Sequence, residues 1–215
     1  MDIYLSTWQF IDDRLISFTF YYERKVRRMS NPIIRRRVRI LRPDEHELLR
    51  SGLSDIHLIQ YEAAFYTGMR WIELQRLQEH PNWLDGRFIN LPKGAAKKQK
   101  IEFDERTVRL NKPGEKAVAT FLNRDIKLPT RAGWGQILKR CAGEVGLINE
   151  ALCAKTTRKT WESWCVIVNK ENNTALNIIV LSQGHTKETS VKHYLGLPFT
   201  PKDEAGMVKY VAGVI

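Results

Sequence analysis

The 215-residue sequence has few of the features that mark disulfide-rich, fibrous or membrane-spanning proteins. Its three cysteines, Cys141, Cys153 and Cys165, are odd in number and lack the spacing of a zinc site, so we expect reduced thiols in an intracellular protein. The 13 glycines and 8 prolines are too few for a collagen-like or low-complexity chain. The densest apolar run, near residues 177–181, is far shorter than a membrane helix requires.

Acidic side chains are also in deficit. The chain has 24 Asp and Glu against 35 Lys and Arg, which gives a net charge of +11 and a sequence pI of about 9.7. A strongly basic protein usually binds a polyanion, so nucleic acid is the first candidate partner and an anionic membrane surface the second. A merely solubilising positive surface is the alternative.

The positive charge is concentrated between residues 24 and 42, where no acidic side chain occurs. The basic residues there are Arg24, Lys25, Arg27, Arg28, Arg35, Arg36, Arg37, Arg39 and Arg42. Asn31-Pro32 interrupts any helix in this region. We expect residues 1–40 to form a short N-terminal helical segment and a basic linker that follows DNA phosphates, with Arg35, Arg36, Arg37 and Arg39 as contacts. A solvated linker is the alternative. Residues 41–215 are expected to form the main body.

The main body is predicted to be α+β and mostly α. Helical periodicity begins after Pro43, breaks at Thr67-Gly68 and resumes at Trp71. Asp85-Gly86 is typical of a β-hairpin turn, and a further strand is expected at residues 101–103 or 107–110. From Lys112 to the end, helical periodicity returns.

Four segments carry residues suited to phosphodiester chemistry. They are the segment 67–74 with Arg70 and Glu73, the turn 91–94 with Lys93, the basic segment 155–160 with Lys155 and Arg158, and Gly184-His185 followed nine residues later by Tyr194. Arginine forks bind phosphate oxygens and stabilise the charge of a pentacovalent transition state. A tyrosine can be the covalent nucleophile, and a lysine can protonate the leaving oxygen. This chemistry requires neither a metal nor another cofactor.

In order and spacing, these segments resemble the tyrosine recombinases, or phage-type integrases. The first family box, T-G-x-R-x-x-E-x-x-x-L, is matched completely by residues 67–77. The Lys93-Gly94 pair takes the place of the hairpin lysine of the family. Arg158, Gly184-His185 and Tyr194 match the second box, the G-H pair and the nucleophile.

The resemblance implies a role for each site residue. Tyr194 would attack the scissile phosphate and form a 3′-phosphotyrosyl link, while Arg70 and Arg158 clamp that phosphate. His185 would bond a nonbridging oxygen or assist the nucleophile, and Lys93 would protonate the leaving oxygen. Glu73 would orient Arg70 or an adjoining residue of the box.

The sequence departs from the family pattern at the second box. Lys155 and Lys159 stand where the H-x-x-R-H pattern has histidines, and K-x-x-R also occurs in archaeal and viral integrases. Whether Lys93 or Lys155 is the general acid stays open. Residues 1–40 stand where family members usually carry a helical core-binding domain, so we expect that region to be reduced or truncated.

The resemblance predicts a site-specific recombinase that integrates or excises a viral or mobile element. Its partners would be double-stranded DNA and further copies of itself in a tetrameric synapse, with a monomer or weak dimer when free. We expect it to act in the cytoplasm of the host cell, at the nucleoid, and not on a membrane. A type IB topoisomerase and an inactive DNA-binding protein on the same fold are the alternatives.

Two further regions are expected to make contacts. The lysine-rich turn after Gly94 offers Lys97, Lys98 and Lys100 to DNA. Residues 204–215 have one apolar helical face, which would dock on a neighbouring copy, as in the family, or on its own domain. The first possibility predicts that deleting the tail impairs synapsis more than folding.

Overall fold

The computed structural model describes residues 31–95, 105–184, 194 and 196–214. Its strands are β1 (Ile33–Arg35), β2 (Val38–Ile40), β3 (Leu84–Asp85), β4 (Phe88–Leu91) and β5 (Arg106–Arg109). Its helices are α1 (Pro43–Ser51), α2 (Asp55–Thr67), α3 (Trp71–Glu79), α4 (Lys112–Leu122), α5 (Arg131–Glu144), α6 (Thr156–Val168), α7 (Asn173–Gln183) and α8 (Pro201–Val211). In these ranges the fold is α+β and mostly α, as predicted.

The compact body begins at Pro32 and not at residue 41. Residues that we expected in a linker form the antiparallel hairpin β1–β2, in which Ile33 pairs with Ile40. Ile33, Val38 and Ile40 are buried, so this hairpin belongs to the body. The predicted N-terminal helical segment lies outside the described residues.

One of the four arginines that were predicted to contact DNA, Arg39, lies inside the body and not at its surface. Arg39 is fully buried; its Nη2 atom lies 2.8 Å from Glu45 Oε1, and its Nη1 atom donates to the carbonyl of Ile148 at 3.0 Å. The prediction that Arg39 contacts DNA is therefore wrong, because its buried guanidinium is paired with Glu45 and cannot reach DNA. Arg36 and Arg37, by contrast, are exposed at the turn of the hairpin.

The break between α2 and α3 follows the predicted pattern. Gly68 ends α2 in the left-handed conformation with φ +56°. A Cβ atom at this glycine would lie 2.5 Å from Trp161 Cδ1, so neither the backbone nor the space admits a side chain. Arg70 then precedes the first turn of α3, at the protein surface.

A small sheet of three antiparallel strands, in the order β3-β4-β5, follows α3. The Asp85-Gly86 turn joins β3 and β4 as predicted, and Gly86 has φ +55°. The strand after the lysine-rich turn is β5, which agrees with the second of the two predicted positions. Residues 101–103 lie outside the described ranges.

Helix α6 lies at the centre of the core. Eleven of its residues are buried, and it packs against α2, α7, α8 and β2. Trp164 Nε1 donates to the carbonyl of Leu41 at 3.0 Å, and the Leu41 amide donates to Thr160 Oγ1 at 3.0 Å. Burial of a large apolar side chain such as Phe65 contributes about 1.5–3 kcal/mol. This packing fixes the helix that carries Arg158.

The C-terminal helix packs on its own domain. Helix α8 begins at Pro201, earlier than predicted, because proline is well tolerated in the first turn. Met207 and Val211 are buried against the body, and Asp203 forms an ion pair with Arg42. Of the two expected possibilities, the single chain has the tail packed on its own domain, and Val208 and Ala212 of the predicted apolar face stay exposed. No helix in the described ranges has the length and apolarity needed to cross a membrane.

Candidate active site

The first part of the site is the start of α3, where Glu73 holds Arg70. The Glu73 carboxylate accepts the backbone amide of Arg70 at 2.7 Å through Oε2 and the guanidinium Nη1 at 2.7 Å through Oε1. Glu73 is fully buried, whereas the Arg70 side chain is 40% exposed. The glutamate at the third helical position thus closes the N-terminus of the helix and also orients the arginine. The expected role of Glu73 agrees with this geometry.

A second arginine, which the sequence analysis missed, completes the pairing of Glu73. Arg106 on β5 donates from Nη2 to Glu73 and from Nη1 to the carbonyl of Ser182 at 2.9 Å. Burial opposes ionisation of Glu73, but the positive charges of Arg106, Arg158 and Arg70 outweigh it, so the pKa of Glu73 lies below its ordinary value. Burial lowers the pKa of Arg106 to about 9, against the opposing effect of Glu73.

Arg158 is held in place by backbone carbonyl groups. Its Nη1 atom donates to the carbonyl of Gly68 at 2.8 Å, and its Nη2 atom donates to the carbonyl of Gln183. These carbonyls belong to the ends of α2 and α7, so the guanidinium joins the first box to the residue before Gly184-His185. Arg158 is buried, and burial lowers its pKa. Two helix C-termini direct their negative dipole ends at this cation.

The predicted nucleophile lies against the same helix as Arg158. The Tyr194 hydroxyl donates to Glu162 Oε2 at 2.8 Å, and both side chains are buried. Burial raises the pKa of Tyr194 well above its ordinary value, and the Glu162 carboxylate raises it further, against a lowering by Arg158. Glu162 was not identified from the sequence, because a lone glutamate four residues after an arginine carries no motif.

Lys93 lies where the resemblance placed it, on the turn that follows β4, and it is exposed. Arg76 of α3 donates to the carbonyl of the adjacent Gly94, which has φ +86°. The helix that begins at Arg70 thus also holds the lysine turn. Arg76 falls inside the first box but at one of its variable positions, so the motif gave no signal for this role.

The other basic residues gather near the start of α6. Lys155 is exposed and immediately precedes the helix, while Lys159 Nζ donates to the carbonyl of Arg35 at 3.3 Å. Burial lowers the pKa of Lys159, and the positive charges of Lys155 and Arg36 lower it further. The hairpin turn therefore lies beside the candidate site rather than along a separate linker.

The remaining predicted residues lie outside the described ranges. They are His185 and the three lysines of the turn after Gly94, namely Lys97, Lys98 and Lys100. Among the described residues, Arg70, Glu73 and Arg158 form one electrostatic cluster with Arg106. Tyr194 joins this cluster through Glu162 and Arg158. Arg39 lies apart from it in the core.

Comparison with known proteins gives one informative similarity. No family model matches the chain, and no curated protein matches its sequence. The fold is similar to that of the Tn1549 transposon integrase, whose structure was solved in complex with circular intermediate DNA. The similarity has a TM-score of 0.58 at 16% sequence identity and covers 93% of this chain and 78% of the integrase chain. It shows that this chain has an integrase-like fold.

Proposed function

We propose that this chain is a site-specific DNA recombinase that cleaves and rejoins DNA through a 3′-phosphotyrosyl intermediate. The observation that carries the proposal is the cluster in which Glu73 orients Arg70 and backbone carbonyls fix Arg158 beside Tyr194. The similarity of the fold to an integrase that was solved with circular intermediate DNA supports the same conclusion.

The reaction would conserve the energy of the phosphodiester bond. The hydroxyl oxygen of Tyr194 attacks phosphorus, and the bond from phosphorus to the 5′ oxygen breaks. Lys93 gives a proton to the leaving 5′ oxygen, while Arg70 and Arg158 bind the phosphate oxygens. Attack by the free 5′-hydroxyl of a second strand reverses these steps, so neither ATP nor a metal ion is consumed. Lys155 would act as a further phosphate ligand or proton donor, and His185 would bond a nonbridging oxygen or assist the nucleophile.

The DNA partner is supported by the charge of the chain and by the placement of its cations. Arg36, Arg37, Lys93 and Lys155 are exposed on segments that border the candidate site. We infer a double-stranded DNA duplex as the substrate, and integration or excision of a viral or mobile element as the biological reaction. Recombination requires two duplexes, so we infer a tetrameric synapse on DNA, in the cytoplasm of the host cell.

Covalent capture of DNA tests the proposed function. The probe is a labelled pool of nicked duplexes with a randomised central sequence, in which cleavage beside the nick releases a short fragment and traps the adduct. We expect a protein–DNA adduct that resists denaturation, and sequencing of the trapped DNA would identify the site. Tyr194→Phe should abolish the adduct.

The matched control is Tyr210→Phe, because Tyr210 is also buried and bonded to a carboxylate, that of Glu47. This variant should retain the adduct. Absence of any adduct with the unaltered protein would overturn the proposal in favour of an inactive DNA-binding protein. Relaxation of supercoiled plasmid without exchange between two trapped sites would replace the recombinase with a type IB topoisomerase.

A further inference from the structure

Helix α6 presents a buried carboxylate one helical turn beyond the phosphate-binding arginine. Glu162 follows Arg158 by four residues, so the two side chains share a face of the helix about 6 Å apart along its axis. Glu162 is fully buried. A buried carboxylate costs folding free energy unless its partners compensate, which makes this position a candidate for function.

One partner of this carboxylate is the hydroxyl of Tyr194, whose oxygen is the nucleophile of the proposed reaction. Tyr194 donates its hydroxyl proton to a hydrogen bond with Glu162 Oε2, and the two oxygens are 2.8 Å apart. This distance is within the range of about 2.6–3.2 Å over which a general base abstracts a proton directly. Attack on phosphorus requires that the hydroxyl lose this proton, since a phosphotyrosyl link cannot retain it.

Two of the cations near Tyr194 do not take the proton. Arg158 and Arg36 act electrostatically on the Tyr194 hydroxyl, and arginine side chains do not deprotonate in proteins. Glu162 is the carboxylate that acts on it. Glu162 contacts the hydroxyl directly and can accept its proton, while the cations stabilise the negative charge that develops on the phosphate.

We propose that Glu162 is the general base that accepts the hydroxyl proton of Tyr194 as this residue attacks the scissile phosphate. This inference rests on the proposed function. In the forward step, the Oη–H bond of Tyr194 breaks, the proton moves to Glu162 Oε2 and the Oη–P bond forms. In the rejoining step, Glu162 returns the proton to the departing tyrosine. Helix α6 then supplies both the phosphate ligand Arg158 and the general base Glu162.

The burial of Tyr194 adds one requirement to this mechanism. The tyrosine is 4% exposed and Arg158 is 8% exposed. The pocket that encloses these two side chains must therefore open on DNA binding for the phosphate to reach them. Proton transfer demands that Glu162 and Tyr194 stay in contact as the pocket opens. If the Glu162–Tyr194 hydrogen bond only held the tyrosine away from DNA, it would instead break when the pocket opens. Loss of this hydrogen bond in a variant would then accelerate cleavage.

Single-turnover cleavage distinguishes a general base from a contact that only holds the tyrosine. The substrate is the nicked duplex identified by covalent capture, and the protein is saturating. Glu162→Gln keeps the shape and the ability to accept a hydrogen bond but is no base, so we expect cleavage to be about 10²–10⁴-fold slower. Glu162→Asp keeps the carboxylate at a greater distance and should cleave at an intermediate rate. DNA affinity and melting temperature, measured in parallel, verify that both variants fold and bind.

Chemical rescue identifies the base directly. Glu162→Ala leaves space for a small carboxylate, so added formate should restore cleavage in proportion to its concentration. Formate should not rescue Tyr194→Phe, which has no proton to give. Wild-type or faster cleavage by Glu162→Gln, or no formate response in folded Glu162→Ala, would overturn this inference while leaving the proposed function intact. Failure of the unaltered protein to form an adduct would instead overturn the proposed function.

Discussion

The guanidinium of Arg106 on β5 donates to the carboxylate of Glu73 on α3, and both side chains are buried. Glu73 in turn bonds the backbone and the side chain of Arg70. The position of the exposed arginine of the site therefore depends on a buried ion pair between the sheet and the helix. Arg106 also bonds the carbonyl of Ser182 near the end of α7, so it joins the sheet to both α3 and α7.

Arg106→Met should destabilise the fold and disturb Arg70. The change leaves the buried Glu73 carboxylate without one of its cations, and breaking a buried pair in this way costs about 3–5 kcal/mol. Urea unfolding measures the loss, and covalent capture of DNA measures the effect on the site. Arg109→Met, on the same strand, is the matched control, because Arg109 is only partly buried. Equal stability of the two variants would contradict the role of the pair.

Lys93→Ala should slow cleavage by about 10²–10⁴-fold, the usual contribution of a general acid. A 5′-bridging phosphorothiolate has a leaving group that needs no proton, so this substrate should rescue Lys93→Ala. Arg158→Ala should not be rescued, because Arg158 would act on the phosphate and not on the leaving oxygen. Rescue confined to Lys155→Ala would exchange the roles of the two lysines.

The exposed turn of the β1–β2 hairpin should govern DNA affinity. Arg36 and Arg37 adopt left-handed backbone conformations, with φ +50° and φ +60°. Arg36→Asn with Arg37→Gly suits this turn and removes two charges, so DNA binding should weaken and the fold should persist. The slope of log K against log salt should flatten by about 0.9 for each lost phosphate contact. An unchanged slope would mean that these arginines do not bind DNA.

The matched comparison for the hairpin is Arg39→Gln. Arg39 pairs with Glu45 inside the body, so this change should lower stability instead of altering the salt dependence of DNA binding. A variant that neutralises all four arginines of the hairpin would therefore combine a loss of DNA affinity with a loss of stability. These arginines are Arg35, Arg36, Arg37 and Arg39.

Deleting residues 203–215 should destabilise the single chain. The deletion removes the Arg42–Asp203 ion pair and uncovers the surface against which Met207 packs. Met207→Ala alone should cost about 2–5 kcal/mol, as a large-to-small change in a core does. Val208→Ala is the control, since Val208 is 47% exposed. Thermal melting of the free protein measures both, and an unchanged melting temperature for Met207→Ala would contradict cis packing.

Stability should fall as the pH decreases from neutral, because His46 is buried and neutral. Burial, with a contribution from Arg50, lowers its pKa to about 3 from an ordinary value of 6.5. Between these values the unfolded chain binds a proton that the folded chain does not, so acid favours unfolding. Between pH 7 and pH 5 the loss from this group is about 2 kcal/mol.

Urea unfolding at pH 7, 6 and 5 checks this dependence. His46→Gln should flatten it, while retaining a polar side chain for the hydroxyl of Tyr61, which lies 2.8 Å from Nδ1 of His46. His80→Gln changes an exposed histidine and is the matched control. The same pH dependence in both variants would show that other groups are responsible.

The sequence by itself determined the local structure around the site. Thr67-Gly68 ended one helix and Arg70 began the next, because the left-handed glycine and the glutamate at the third helical position act within a few residues of each other. The Asp85-Gly86 turn was predictable for the same reason. The turn predicted at residues 91–94 likewise follows β4 and carries Lys93.

Only the tertiary structure decided which charged side chains are buried and paired with a partner in the interior. Arg36 and Arg39 belong to one basic run, but the hairpin exposes the first and buries the second against Glu45. Arg106 and Glu162 likewise gained their roles from partners 33 and 32 residues away, Glu73 and Tyr194. The apolar face of α8 fitted either its own domain or a neighbour. Such pairings depend on how distant elements pack, and composition and periodicity carry no record of that packing.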